Sequence, residues 1–231
     1  MRKLGRMTRR RYLTAAVFLA GFLAVTAAGA ALPAPVRSAV AAWASTSVAN
    51  LEHHPAGSLL LSAFVAGGSW STWPALIALA LFGASRAVGS LRLAVICAAG
   101  HVIGTLVSEG IVAYRVDAGL LPVSSRHLLD VGPSYVVVSA AVVALALGSW
   151  PARAAAAIDL GVLIVGGRIF AGLSALDVAA VGHVTALAVA AAAVLAIWSR
   201  RGRPRCAGPG QGRADADVRP GMNPCENLRC E

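Results

Sequence analysis

The sequence predicts an all-α integral membrane protein built as a bundle of six transmembrane helices. Hydrophobic residues make up 58% of the 231-residue chain and charged residues only 13%, which is expected when lipid is the solvent for long segments. Apolar runs near the length of a membrane span cover residues 12–32, 73–88, 91–113, 134–150, 153–171 and 176–198. We therefore divide the chain into a basic N-terminus, a membrane domain and a disordered tail, at residues 1–11, 12–198 and 199–231.

The basic residues indicate the orientation of these spans. Arginine-rich clusters precede the first run and follow the last, and the turns after the second and fourth runs carry Arg92 and Arg153. Because basic residues concentrate on the cytoplasmic side, we expect both termini in the cytoplasm and the protein in the plasma membrane. The net charge of +10 is explained by these clusters, so the bilayer is the expected partner and nucleic acid is not.

The first apolar run has two interpretations. The stretch "TAAGAALPAP" resembles a signal-peptide cleavage region, but 21 apolar residues is long for such a peptide, and we favour an uncleaved helix. The outside segment 33–72 contains an apolar piece, Leu59–Ala66, that is too short to cross a bilayer and is expected at the outer leaflet. Neither a metal nor a cofactor is indicated, since the tail cysteines match no zinc pattern and there is no glycine-rich phosphate loop.

The fourth run is short, and it begins with the sequence "DVGPSY". With its inner end held at the cytoplasmic interface, a helix from Ser134 to Gly148 rises about 22 Å and starts roughly 8 Å below the outer surface. Unpaired N–H groups at such a buried helix start cannot face lipid. Gly132 allows a sharp bend and Pro133 suits a first turn, so the pattern predicts a polar pocket at Ser134.

A histidine in the sixth run reaches a similar depth. His183 lies seven residues from the outer end of that run, roughly 10 Å deep at 1.5 Å per residue. A hydroxyl beside a neutral imidazole is the minimum for a base-activated nucleophile. Serine and histidine are also common packing residues of membrane helices, so two interpretations stay open for the pair Ser134 and His183.

These residues resemble the rhomboid intramembrane serine proteases over about residues 50–191. The likeness includes six spans, a long first outside loop, a Gly-x-Ser at the start of a short fourth helix, and a histidine in the sixth followed by small residues, Ala186 and Ala190. The resemblance implies that Ser134 is the nucleophile and His183 its base. The implied reaction is cleavage of a transmembrane-helix substrate near the outer face of the membrane.

The second span departs from the family pattern. Active rhomboids carry a histidine and an asparagine there that help to bind the oxyanion, whereas this chain offers Ser69, Ser71 and Thr72, with Gly132 as further support. Three functions therefore remain: a protease, a rhomboid-like protein that binds transmembrane segments without cutting them, and a small transporter. No internal repeat supports the transporter.

Other polar residues inside or beside the spans have structural explanations. We expect His101 to pack through a small-residue face formed by Gly100 and Gly104. Glu109 is expected to pair with Arg115 or Arg168. Asp130 is expected to cap or solvate the start of the fourth helix, and Asp177 lies at the outer boundary of the sixth, so no triad acid is assigned.

Overall fold

The protein folds as a bundle of α-helices. A computed structural model describes residues 10–66 and 71–201. The helices are α1 (Leu13–Ala30), α2 (Ala34–Ala44), α3 (Val48–His53), α4 (Pro55–Ser62), α5 (Trp73–Val88), α6 (Ser90–Asp117), α7 (Ser134–Leu147), α8 (Trp150–Gly161) and α9 (Val178–Arg201). Short 3₁₀ turns span Val123–His127 and Leu173–Ala175, and a π-helical turn follows α8 at Val162–Gly166. The predicted all-α class is confirmed for this part of the chain.

A helix lies at each of the six predicted apolar runs. Among the described residues, α1, α6 and α9 are long and apolar enough to cross a membrane, whereas α5 and α7 are apolar but shorter. Helix α8 ends at Gly161 and is extended only by the π-helical turn. These lengths support a multi-pass protein, and the six-span arrangement with cytoplasmic termini stays a prediction. The predicted N-terminal segment and tail fall almost wholly outside the described residues.

The short helix α7 lies at the centre of the bundle. It packs against α5, α6, α8 and α9. Most of its residues are buried, whereas Leu145 near its end is 38% exposed; the buried ones are Tyr135, Val136, Val137, Val138, Ser139, Ala140, Ala141, Val143 and Ala144. Its 14 residues rise about 21 Å at 1.5 Å per residue. Because protein rather than lipid surrounds this helix, its start can lie at membrane depth without exposing N–H groups to hydrocarbon.

Small residues bring α6, α7 and α9 close together. A Cβ atom added at Gly100 would collide with Ser139 Oγ, and one added at Gly104 would lie 3.0 Å from a carbonyl oxygen of α9. Ala186 and Ala190 of α9 are fully buried in the same region. The predicted small-residue face of α6 is confirmed, and it lets α6 approach closely both α7, which begins at Ser134, and α9, which carries His183.

Residues 34–62, between α1 and α5, form three short helices, α2 to α4, rather than another span. Ser47 caps α3 through Asn50 N–H at 3.4 Å, and the Asn50 amide donates to the Ala42 and Ser45 carbonyl oxygens at 2.7 and 2.8 Å. The Trp43 ring stacks on His54 with centroids 5.1 Å apart. The segment is therefore an ordered cap, and helices α3 and α4 contact α6.

The predicted pairing of Glu109 with arginine is wrong. Within residues 10–66 and 71–201, Glu109 forms no ion pair and no hydrogen bond of good geometry, although it is only 2% exposed and the Val48 backbone lies close to its carboxylate. Arg115 instead donates to the Ala175 carbonyl oxygen at 2.8 Å. Residues six apart lie on different faces of a helix, so Glu109 turns into the bundle while Arg115 reaches the loop before α9.

Candidate active site

The bend before α7 depends on glycine. Gly132 has φ of +140°, a conformation that residues with a side chain rarely adopt. Its N–H donates to the Ser62 carbonyl oxygen at 2.9 Å, which ties the bend to the end of α4. Pro133 follows, and its carbonyl accepts from Val137 N–H at 2.9 Å as the first bond of the helix. Helix α7 thus begins at Ser134, as the sequence predicts.

The start of α7 leaves donors available around Ser134. The first N–H groups of a helix have no partner within the helix, and no side chain from residues 10–66 or 71–201 caps this one. Ser134 itself is half-buried. The site therefore combines a hydroxyl with unpaired backbone N–H groups at one place.

His183 lies in the second turn of α9, which packs against α7. The side chain is 4% exposed, and within the described part of the chain neither ring nitrogen has a hydrogen-bond partner of good geometry. The imidazole contacts Tyr135 edge to face, with ring centroids 4.9 Å apart and planes at 82°. The backbone groups of Ala179 and Ile169 also lie beside the ring, so His183 is held by the aromatic contact and by these neighbours.

The two predicted site residues lie at the same end of the same helix pair. Ser134 directly precedes Tyr135, and Tyr135 is the residue that contacts His183. No hydrogen bond joins Ser134 to His183 among residues 10–66 and 71–201. Catalytic hydrogen bonds are often long without substrate and tighten in the reacting complex, so the nucleophile and base roles stay a prediction.

Asp130 anchors Tyr135 instead of capping α7. Tyr135 donates its hydroxyl to Asp130 Oδ2 at 3.1 Å, and Thr46 donates to the same oxygen at 3.2 Å. The expectation that Asp130 caps the helix is wrong, because the tyrosine hydroxyl five residues later takes its carboxylate. Burial raises the pKa of Asp130, while the hydrogen bonds from Tyr135 and Thr46 act in the opposite direction.

His101 serves as a packing residue, as predicted. Its Nε2 lies 2.9 Å from the Leu59 carbonyl oxygen and 3.2 Å from Ser62 Oγ, and its ring centroid is 6.0 Å from that of Tyr135. Ser62 also holds Gly132 through its carbonyl. The histidine therefore connects α4, α6 and the start of α7.

The predicted oxyanion groups have different placements. Ser69 lies outside the described residues, while Ser71 and Thr72 are exposed and directly precede α5. The N–H of Gly132 is occupied by Ser62, so this glycine contributes the bend rather than a donor. Asp177 caps α9, accepting from Ala179 N–H at 3.1 Å.

Sequence reasoning missed Tyr135 and Thr46 as parts of this site. Tyr135 directly follows the Gly-x-Ser pattern in the sequence, which assigns it no role. A tyrosine in an apolar helix needs a partner for its hydroxyl, and Asp130 is the nearest carboxylate in the sequence. Thr46 carries no local signal, because it meets Asp130 across 84 positions of the chain.

Comparison with known proteins identifies the family. A family model described as rhomboid-like protein matches residues 9–203. The chain belongs to this rhomboid-like family. No curated protein and no solved structure matches it significantly. Family membership and the apolar helices make this rhomboid-like chain a multi-pass membrane protein.

Proposed function

We propose that this rhomboid-like protein is an intramembrane serine endopeptidase that cleaves transmembrane substrates near the outer face of the plasma membrane. One observation carries the proposal: Tyr135, the neighbour of Ser134, contacts the imidazole of His183, with ring centroids 4.9 Å apart. The proposal includes six spans with both termini in the cytoplasm, supported by the helices at all six apolar runs.

The residues available suit acyl transfer. Ser134 Oγ attacks the scissile carbonyl carbon while His183 accepts the hydroxyl proton, and the histidine then protonates the leaving amine. Water hydrolyses the resulting acyl-enzyme and releases the serine. Unpaired N–H groups in the first turn of α7 are the donors for the oxyanion, with Ser69, Ser71 or Thr72 as additional candidates.

Cleavage of a model transmembrane substrate in proteoliposomes tests this function. Ser134→Ala and His183→Ala should each abolish cleavage almost completely, because nucleophile and base act as one unit. Ser139→Ala is the matched control, since this serine lies on the same helix and bonds only the Tyr135 carbonyl oxygen. Cleavage that survives Ser134→Ala would refute the assignment.

A second function is binding of transmembrane segments without proteolysis. It is favoured by the missing hydrogen bond between Ser134 and His183 in the described structure and by the absence of the family's histidine and asparagine from the second span. Under this function, crosslinking of a transmembrane peptide persists in wild type and Ser134→Ala alike, and neither releases a fragment.

A further inference from the structure

Helix α2 has an exposed apolar stripe. Val36, Val40 and Trp43 are 46%, 43% and 52% exposed, and their spacing places them on one face of the helix. The helix directly follows α1, whose 18 residues rise about 27 Å and so nearly cross a bilayer core. Since α1 ends at a membrane surface, α2 fits a position along that interface with its apolar side chains in lipid.

A groove of about 630 Å³ lies between α2 and the end of α1. Its walls also include residues 64–66 after α4 and two residues of the loop before α7, Leu129 and Val131. Most lining side chains are apolar. Gly29 lines the groove, and a Cβ atom added there would meet nothing within 4 Å, so the space beside it is open.

The groove carries one positive charge at its edge. Arg37 is the only charged residue among the described residues that line it, and while its backbone N–H donates to the Pro33 carbonyl oxygen, its guanidinium forms no ion pair with the described carboxylates. Ser38, the next residue along α2, also lines the groove and carries a hydroxyl group. An apolar space with a cation and a hydroxyl at its edge complements an anionic head attached to a hydrocarbon chain.

We propose that this groove binds an anionic phospholipid of the adjacent leaflet. One acyl chain lies along Gly29 and the apolar walls, and the phosphate contacts Arg37 and Ser38. A phospholipid fits better than a water-soluble anion, because the walls are apolar and α2 presents its exposed apolar stripe at the membrane surface. The site does not depend on catalysis, since it concerns neither Ser134 nor His183.

Lipid binding to the full chain tests the proposal. Purified protein in detergent is incubated with photoactivatable phosphatidylglycerol or phosphatidylcholine, and crosslinked peptides are identified by mass spectrometry. We expect phosphatidylglycerol to label residues 25–41 several-fold more than phosphatidylcholine. Gly29→Leu should fill the acyl space and Arg37→Gln should remove the phosphate contact, each reducing this labelling several-fold.

Two matched variants serve as controls. A Cβ atom at Gly110 also meets nothing within 4 Å, so Gly110→Leu adds the same side chain to a helix outside the groove. Arg92 is exposed, so Arg92→Gln removes an arginine elsewhere. Equal labelling by the two lipids, or equal losses in the controls, would overturn the proposal. So would loss of bound transmembrane peptide in Gly29→Leu with lipid labelling unchanged, which would assign the groove to a peptide.

Discussion

At the scale of single residues, Tyr135 joins the two parts of the candidate site. Its ring contacts the His183 imidazole with ring centroids 4.9 Å apart, and its hydroxyl donates a hydrogen bond to Asp130 Oδ2 at 3.1 Å. Thr46 adds a second bond to that carboxylate from the first outside segment. The position of the imidazole therefore depends on residues from three separate parts of the chain.

Tyr135→Phe tests the hydroxyl bond to Asp130 separately from the ring contact with His183. The variant keeps the ring against His183 but leaves Asp130 with one donor fewer, and losing a hydrogen bond to a buried group costs about 1–3 kcal/mol. We expect a lower unfolding midpoint with measurable activity. Tyr135→Leu should lose activity as well, because the aromatic contact is gone. Equal activity in the two variants would show that the ring does not position His183.

The titration of Asp130 should be visible in stability. Burial raises its pKa in the folded protein, so the folded state binds the proton more tightly than the unfolded state does. The stabilisation from this proton is complete below the unfolded pKa and is lost as pH rises through the folded pKa. Wild type should therefore lose stability relative to Asp130→Asn as pH rises above about 4. Unfolding midpoints of both proteins across pH 4–8 measure this difference, and a constant difference would contradict it.

At the scale of helices, the sequence predicts most of the architecture. Hydropathy locates five of the six apolar helices to within a few residues, because lipid requires long apolar runs; the exception is the run 153–171, where α8 ends at Gly161 and only a π-helical turn continues to Gly166. The bend at Gly132 is predictable too, since few residues except glycine allow it. The bond from Thr46 to Asp130 is not, because these two residues are 84 positions apart in the sequence and meet only in the folded chain. The sequence around Glu109 likewise does not show that this residue faces the interior of the bundle, where no arginine of the described residues pairs with it.

Gly132→Ala tests the bend at the start of α7. At φ of +140°, a side chain introduces backbone strain of about 1–3 kcal/mol. We expect a lower unfolding midpoint and reduced cleavage, because the position of Ser134 depends on this bend. Gly110→Ala is the control, since it adds the same methyl group within a helix where space is open and should be neutral or stabilising. Similar effects in both variants would contradict the account.

At the scale of the whole molecule, orientation is the main prediction that remains. It rests on the basic residues at the ends of the membrane domain and in its short turns. Single cysteines test it in a background that lacks the native ones. Leu120→Cys and Trp150→Cys are suitable because the two positions are 65% and 80% exposed. An impermeant thiol reagent added to intact cells should label residue 120 and not residue 150, and the reverse pattern would refute the orientation.

The central claim is that His183 activates Ser134 as a nucleophile. Labelling of the purified, folded protein with a fluorophosphonate probe, followed by mass spectrometric mapping, tests it most directly. The account predicts a phosphonylated Ser134, with labelling lost in Ser134→Ala and His183→Ala and retained in Ser139→Ala. No labelling under conditions where an active rhomboid reacts would contradict the claim, as would labelling that persists in Ser134→Ala.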